Sequence, residues 1–181
     1  MKKILLVGCG HMGEALLTSW LKSNNYYVTV IDPIKYNYLK NNYKNKKIQI
    51  FKSVSKIDKH FNTDFIIFAV KPFDLKNVLD EFSEVEFKKT CIVISIIAGK
   101  RIKEFKNRLK KIKYFFRVMP NLPASIGESM NCITANKNMS KFRKNQVLKI
   151  FNYSGRSIYL KDENEIDMAT AISGSGPGFV F

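Results

Sequence analysis

Three glycines near the start of the chain have the spacing of a phosphate-binding turn. Gly8, Gly10 and Gly13 follow a short apolar run at residues 2–7 that is typical of a buried strand. In this pattern the first glycine permits a sharp turn, the second lets the backbone approach a pyrophosphate, and the third allows a helix to pack closely on the strand. The N-terminus of that helix presents free N–H groups and a positive dipole end. The spacing therefore predicts a site for a dinucleotide pyrophosphate.

A carboxylate at the end of the next predicted strand, residues 28–32, completes the pattern. Asp32 can accept hydrogen bonds from an adenosine ribose, and strand, glycine turn, helix, strand and acid occur in the order that the Rossmann fingerprint requires. An acid at this position repels a 2′-phosphate, which favours NADH, whereas Lys35 could neutralise such a phosphate. We therefore expect both NADH and NADPH to bind, with NADH somewhat favoured.

Apolar runs of strand length alternate with helix-length segments along the chain. Parallel strands are buried on both faces and are continuously apolar, as residues 63–70 are. The alternation predicts an α/β fold with a Rossmann-like doubly wound, mostly parallel sheet. We expect a Rossmann dinucleotide-binding domain over residues 1–161 and the start of a C-terminal helical region at 162–181. The predicted strands are residues 2–7, 28–32, 48–51, 63–70, 90–97, 112–118, 132–135 and 155–160, and the later predicted helices include 141–151 and 166–172.

Four loops follow predicted strands at the edge of the sheet where doubly wound folds bind ligands. They are residues 8–13, 69–72, 98–99 and 119–124, and their small residues and prolines allow a flat cofactor to approach the backbone. Any one of them alone is better explained as a tight turn, but four in succession favour a binding crevice. Within them, Lys71 is either a cofactor contact or a surface residue, and we expect His11 to fill space in the turn or to bond the backbone there rather than to act as an acid.

The composition argues against several other classes of protein. The net charge of +16 at pH 7 comes mainly from scattered lysines, whereas arginine is the better reader of phosphates and bases, so we do not expect a nucleic-acid partner. No apolar run approaches the roughly 18 residues of a membrane helix, and the run after Lys3 is too short for a signal peptide, so we expect a cytoplasmic protein. Cys9, Cys91 and Cys132 are far apart, which argues against a disulfide framework or a metal site.

The last residues of the chain have the chemistry of a new helix start. Asp162 and Glu165 have the spacing of a capping box for one helix. Pro177 then suits the first turn of a second helix, and the serines and glycines before it can cap that helix. The chain stops on the apolar residues 179–181, where most termini are polar. We expect these residues to lead into a further helical portion that this chain lacks.

Five motifs have the order and composition of one enzyme family. They are Gly-Cys-Gly-His-Met-Gly-Glu-Ala at 8–15, Ala-Val-Lys-Pro at 69–72, Ser-Ile-Ile-Ala-Gly at 95–99, Arg-Val-Met-Pro-Asn-Leu-Pro-Ala at 117–124 with Gly-Glu at 127–128, and Asp-Met-Ala-Thr-Ala-Ile-Ser-Gly-Ser-Gly-Pro at 167–177. The glycine turn is generic, whereas the last two motifs are far more specific. Together they span the chain and resemble the pyrroline-5-carboxylate reductases of proline biosynthesis.

The resemblance implies an NAD(P)H-dependent oxidoreductase with a Rossmann domain and a helical domain that makes a homo-oligomer. The implied reaction is hydride transfer from NADPH or NADH to the C=N carbon of 1-pyrroline-5-carboxylate, which gives L-proline. The expected substrate contacts are Ser173, Gly174, Ser175, Gly176 and Pro177. The expected cofactor contacts are Gly8, Gly10, His11, Met12, Gly13, Asp32, Ala69, Val70, Lys71, Pro72, Ala98, Met119, Pro120 and Asn121.

The sequence also departs from the family pattern. Leu122 stands where the family usually has threonine, and Gly178 where alanine is usual. Because the helical domain with its donor to the imine nitrogen is expected to be missing, no residue is assigned as catalytic, and we expect little or no turnover from this chain alone. Two alternatives stay open: another Rossmann reductase of the hydroxyacid dehydrogenase type, and a non-catalytic NAD(P)-binding module.

Overall fold

An eight-stranded sheet forms the centre of the computed structural model, which describes residues 1–44, 47–136 and 139–172. In chain order the strands are β1 (Lys2–Val7), β2 (Tyr26–Ile31), β3 (Ile48–Phe51), β4 (Phe65–Phe68), β5 (Ile92–Ser95), β6 (Tyr114–Met119), β7 (Ser129–Ala135) and β8 (Gly155–Tyr159). Their order across the sheet is β3-β2-β1-β4-β5-β6-β7-β8. Every neighbouring pair is parallel except β6 and β7, which confirms the predicted doubly wound, mostly parallel fold.

Six α-helices connect or follow these strands in the described ranges. They are α1 (His11–Ser23), α2 (Tyr36–Asn42), α3 (Leu75–Glu81), α4 (Ile102–Arg108), α5 (Lys141–Phe151) and α6 (Glu163–Thr170). Short 3₁₀ turns lie at Val54–Lys56, Phe82–Glu84 and Leu122–Ile126. None of the helices in the described ranges has the length and apolar character needed to cross a membrane.

Two separate apolar clusters cover the two faces of the sheet. Successive side chains of a strand point to opposite faces, so Ile4 and Leu6 enter one cluster whereas Leu5 and Val7 enter the other. All four are almost completely buried, and full burial of such a side chain contributes about 2 kcal/mol. In the first cluster the Trp20 indole N–H donates to the Ile150 carbonyl oxygen at 3.0 Å, which joins α1 to α5. This bond holds two of the helices together on the same face of the sheet.

Some element boundaries differ from the sequence predictions. β7 begins at Ser129 rather than at Cys132, because the buried Asn131 amide donates to the carbonyls of Phe151 and Arg156 and so keeps a polar segment inside the sheet. The predicted strand at 63–70 forms only at Phe65–Phe68.

The sixth helix also begins earlier than predicted. α6 starts at Glu163, three residues before the predicted start, because the Asp162 carboxylate caps it by accepting from the N–H groups of Asn164 and Glu165. The Glu165 carboxylate accepts from the Lys161 N–H, at 2.7 Å, instead of closing the expected box onto Asp162.

All three cysteines are free in the structure. Burial raises the pKa of Cys9 and of Cys91 to about 12, and nearby carboxylates add to the effect. Since the thiolate is the reactive form of cysteine, these two thiols are inert near neutral pH. Cys9 lies inside the glycine turn, where it acts as a small apolar residue.

Candidate functional site

Two of the three glycines are required by close backbone packing in the turn. Gly8 has a φ of +87°, and a Cβ there would lie 2.8 Å from the Ala69 carbonyl oxygen. A Cβ on Gly13 would lie 2.8 Å from the Gly8 carbonyl oxygen. Side chains at either position would displace backbone, so these glycines allow α1 to pack against β1 and the loop after β4. The first and third glycines therefore have the packing roles that the sequence pattern predicts.

Gly10 has a different environment, which points to a ligand rather than to packing. It is exposed, its φ of −63° suits any residue, and none of the described atoms lies within 4 Å of the position of an added Cβ. It immediately precedes α1, whose N-terminus carries unpaired N–H groups and a positive dipole end. Its open side is therefore suited to the approach of an anion. His11 is exposed at the first position of α1 and does not fill the turn as expected.

Asp32 fastens this turn to the segment after β2. Its Oδ2 accepts from the Cys9 N–H at 2.7 Å, and its Oδ1 accepts from the N–H groups of Ile34 and Lys35 at 2.9 and 2.7 Å. The residue is 7% exposed. The carboxylate thus has a structural role that the sequence pattern did not reveal, and its predicted contact with a ribose stays a prediction.

A charged cluster lies beside the turn at the start of α1. The Lys35 ammonium donates to Glu14 Oε2 at 2.7 Å and lies 5.4 Å from the centre of the Tyr38 ring. The Tyr43 hydroxyl donates to Glu14 Oε1 at 3.1 Å. Burial acts to raise the pKa of Glu14, but hydrogen bonds from Lys35, Tyr38 and Tyr43 and the Lys35 charge outweigh it, so the pKa is lowered and the carboxylate is charged at neutral pH. The sequence pattern indicated Lys35 but missed its partner Glu14.

The other three predicted loops lie side by side along the same edge of the sheet. β1, β4, β5 and β6 are adjacent and parallel, so the segments after them share the edge at which their carboxyl ends meet. Ala69 and Val70 are half-buried against the glycine turn, and Met119 is half-buried with Pro120 buried behind it. Lys71, Pro72 and Ala98 are exposed, and the Lys71 ammonium lies 5.6 Å from the centre of the Phe73 ring.

Asn121 is held by the protein itself. Its side-chain oxygen accepts from the Ser129 hydroxyl at 3.1 Å and from the Met130 N–H at 2.9 Å, and its own N–H donates to the Ser129 hydroxyl at 3.2 Å. These bonds tie the loop after β6 to β7 and fix the backbone of residues 119–121. The side chain therefore shapes the predicted cofactor loop at residues 119–124, and a direct cofactor contact stays a prediction.

A second polar cluster fastens α6 to the sheet, and the sequence analysis missed it. The Arg117 side chain on β6 is 1% exposed and donates through Nη2 to Asp167 Oδ1 at 2.7 Å. Its Nη1 lies 3.8 Å from Glu163 Oε1. The exposed Arg101 donates to the other oxygen of Asp167 at 3.0 Å. Among the described residues, Nε and Nη1 of Arg117 and the facing Thr134 hydroxyl have no hydrogen-bond partner. Two features of the sequence could have indicated this cluster: an arginine within an otherwise apolar strand, and two acidic residues four positions apart on a later helix.

The predicted substrate contacts, Ser173 to Pro177, lie outside the described residues. α6 ends at Thr170, three residues before the first of them. The structure therefore adds two polar clusters to the predicted loops, one at Arg117 and one at Glu14 and Lys35 beside the glycine turn.

The sheet order, the glycine turn and the four strand-end loops define an α/β protein of the Rossmann class. The chain belongs to the family described as NADP oxidoreductase, coenzyme F420-dependent, whose model matches residues 3–99.

Relatives and solved structures give a more specific similarity, to pyrroline-5-carboxylate reductases. The pyrroline-5-carboxylate reductase of Aquifex aeolicus is 32% identical over 99% of this chain and 64% of its own length. The crystal structure of Plasmodium falciparum pyrroline carboxylate reductase with NADP bound is 30% identical, with a TM-score of 0.78, over 99% of this chain and 64% of that one. The Coxiella burnetii pyrroline-5-carboxylate reductase has a TM-score of 0.83 at 25% identity, over 98% of this chain and 66% of that one. The resemblance predicted from the motifs is confirmed, and the chain spans slightly less than two thirds of these relatives.

Proposed function

We propose that this chain supplies the dinucleotide-binding fold of a pyrroline-5-carboxylate reductase. It binds NADPH or NADH at the glycine turn and takes part in hydride transfer to the C=N carbon of 1-pyrroline-5-carboxylate, which gives L-proline. The relatives covered over 98–99% of this chain carry that name, and one of them is a structure with NADP bound. The cytoplasmic location, the homo-oligomer and the division at residue 161 stay predictions.

The observation that carries this proposal is the environment of Gly10. A packing role explains Gly8 and Gly13, whose added Cβ atoms would meet backbone at 2.8 Å. It does not explain Gly10, whose added Cβ would meet none of the described atoms beyond its chain neighbours. A side chain is excluded there only if something else approaches the backbone. A pyrophosphate bound at the N-terminus of α1 satisfies this condition, because it needs both close approach and free N–H donors.

The remaining residues have binding and orienting roles in this proposal. The nicotinamide ring of the bound cofactor supplies the hydride, and the protein contributes orientation and a dry site. Ala69 and Val70 after β4 and Met119 at the end of β6 offer small or apolar surface at strand ends on either side of β5, where a flat ring can lie. Asn121 holds the Met119 loop through its bonds to β7. Ser173 to Pro177 remain the proposed substrate contacts, and no residue is proposed as a catalytic acid.

The two alternatives predict different substrates and outcomes. A hydroxyacid-type reductase reduces 2-oxo acids, whereas a binding module takes up dinucleotide without turnover. The relatives do not favour the first alternative, because those matched at 30–32% identity carry the name pyrroline-5-carboxylate reductase or pyrroline carboxylate reductase. Assaying oxidation of reduced dinucleotide with 1-pyrroline-5-carboxylate and, separately, with a 2-oxo acid distinguishes them. Proline formation supports the full proposal, and reduction of the 2-oxo acid alone contradicts it. Binding of dinucleotide with little or no turnover is the result expected of this chain alone and is also what a binding module would give.

A pair of glycine variants tests the binding step. We expect Gly10→Val to keep the fold and weaken binding of NADPH and NADH by at least about tenfold, since its β-branched side chain would occupy the pyrophosphate position. Gly13→Val is the matched control: it makes the same chemical change three residues later but collides with the Gly8 carbonyl, so it should lower the stability to urea as well. Calorimetric titration measures binding and circular dichroism measures folding. Undiminished cofactor affinity in a folded Gly10→Val protein would refute the proposed site.

A further inference from the structure

The carboxylate that the sequence pattern assigns to the ribose is already engaged by the protein. A carboxylate offers about four lone-pair positions, and Asp32 uses three of them for the N–H groups of Cys9, Ile34 and Lys35. Its exposed fraction is 7%. Little of its acceptor capacity is left for a ribose hydroxyl, and its negative charge is directed at three backbone dipoles. Asp32 is therefore poorly placed to discriminate between dinucleotides with and without a 2′-phosphate.

Lys35 lies where a 2′-phosphate would be recognised, because the segment after β2 borders the adenosine ribose in this fold. The bond from its N–H to Asp32 fixes its backbone at that edge. Its ammonium, however, is drawn away from open solvent by the 2.7 Å ion pair with Glu14 on α1. The hydrogen bond to Glu14 is also the largest contribution that raises the pKa of Lys35, so the side chain is a cation at neutral pH.

Glu14 is itself held in place. The Tyr43 hydroxyl donates to its other oxygen, and that hydroxyl lies 3.1 Å from the hydroxyl of Thr18 on the same helix. The side chains of Glu14 and Lys35 are 20% and 30% exposed, so the pair is partly shielded from water. Because the carboxylate has a hydrogen bond that does not depend on Lys35, it stays in position if the ammonium leaves. Glu14 therefore places a fixed negative charge next to Lys35. In the described part of the chain, Lys35 is the only lysine whose backbone N–H donates to Asp32.

We propose that Glu14, rather than Asp32, sets how this chain discriminates between dinucleotides with and without a 2′-phosphate, by occupying the Lys35 ammonium. The inference rests on the dinucleotide binding proposed above. A 2′-phosphate carries a charge of about −1.5 to −2 near neutral pH. To bind, it must take Lys35 from Glu14 and then tolerate the negative charge of Glu14 beside it. A dinucleotide that ends in a ribose hydroxyl meets neither penalty.

The test compares NADP⁺ and NAD⁺ binding by calorimetric titration in four proteins. Glu14→Gln keeps the size of the side chain and removes its charge, and Lys35→Met removes the cation. We expect Glu14→Gln to tighten NADP⁺ binding by about three- to tenfold and to leave NAD⁺ binding within about twofold, as the release of a partly exposed ion pair allows. In the double variant Glu14→Gln/Lys35→Met this gain should disappear, since no ammonium is left to release. The ligands 2′,5′-ADP and 5′-AMP should reproduce the same pattern, because they retain only the ribose end.

Controls separate a specific effect from a general change of charge or fold. Glu84→Gln makes the same charge change on an exposed residue of the 3₁₀ turn Phe82–Glu84 and should alter neither affinity. Glu14→Ala is a second variant should the glutamine protein fold poorly, and it should act in the same direction. Equal tightening of both dinucleotides by Glu14→Gln, or a gain that persists without Lys35, overturns this inference alone. If wild-type protein binds neither dinucleotide, the proposed function itself is wrong.

Discussion

Asp32 and Arg117 are both charged, both buried and both at the sheet, yet the protein satisfies them in different ways. Asp32 accepts three backbone N–H groups. Arg117 depends on side chains of α6, and its Nε and Nη1 have no hydrogen-bond partner in the described ranges. Backbone donors are present whatever the nearby side chains, whereas carboxylates on a helix are in place only when the helix is docked. The glycine turn is therefore held by backbone donors, whereas Arg117 relies on side chains of α6, a helix that also buries Ile166.

The largest effect that would sharpen this comparison is expected at Asp167. In Asp167→Asn the Arg117 guanidinium stays 1% exposed but loses the charge of its 2.7 Å partner, and loss of one partner of a buried ion pair costs about 3 kcal/mol. The free energy of unfolding in urea measures the loss. Arg101→Gln removes the exposed partner of the same carboxylate and should cost less than about 1 kcal/mol. Equal losses in the two variants would show that burial of Arg117 is not the cause.

Replacement of Asp32 should lower stability by a smaller amount and should weaken the binding of both dinucleotides to a similar degree. Asp32→Asn turns one acceptor oxygen into an NH₂ group that faces backbone donors, which costs about 2 kcal/mol. Because the turn loosens as a whole, NADH and NADPH should lose affinity by similar factors. Asp74→Asn is the control, since its carboxylate makes no capping hydrogen bond at α3, and it should lie within about 0.5 kcal/mol of wild type. A selective gain in NADPH affinity in Asp32→Asn would restore Asp32 as the discriminating acid.

The smallest effect is expected in acid. Burial acts to raise the pKa of Asp167, but the hydrogen bonds and charges of Arg117 and Arg101 outweigh it and hold the pKa below its ordinary value of 3.8. A lowered pKa in the folded state means that the pair stabilises the fold fully above the unfolded value and loses this contribution as the pH falls through the folded value. The free energy of unfolding of wild type, measured in urea, should therefore decrease below about pH 4.

The matched measurement for the acid effect is the same profile in Asp167→Asn. It should be flatter than wild type, by less than the cost of the substitution at neutral pH, because the lowered pKa keeps part of the folded-state Asp167 ionised until the pH is well below 3.8. Parallel pH profiles in the two proteins would mean that protonation of Asp167 is not coupled to unfolding.

Local patterns predicted much of the fold, for reasons that particular elements make clear. The continuous apolar runs of β1 and β4 and the three-glycine turn are encoded over a few neighbouring residues, so their positions could be read directly. The start of β7 could not, because Ser129 and Asn131 are polar and become part of the sheet through bonds to Asn121, Phe151 and Arg156. The motif at 117–124 indicated a cofactor loop but not that Asn121 would be engaged by β7.

By itself, the sequence determined the Rossmann order of strands and helices, the edge at which four loops meet, and the likeness to pyrroline-5-carboxylate reductases, because each depends on residue types at short, regular spacings. Only the tertiary structure decided what the charged residues do. It paired Lys35 with Glu14, directed Asp32 to backbone donors, and placed Arg117 under α6. Those partners lie 2 to 50 residues apart along the chain and are chosen by packing. Electrostatic partnership depends on distance and burial in the folded molecule, which a linear pattern does not contain.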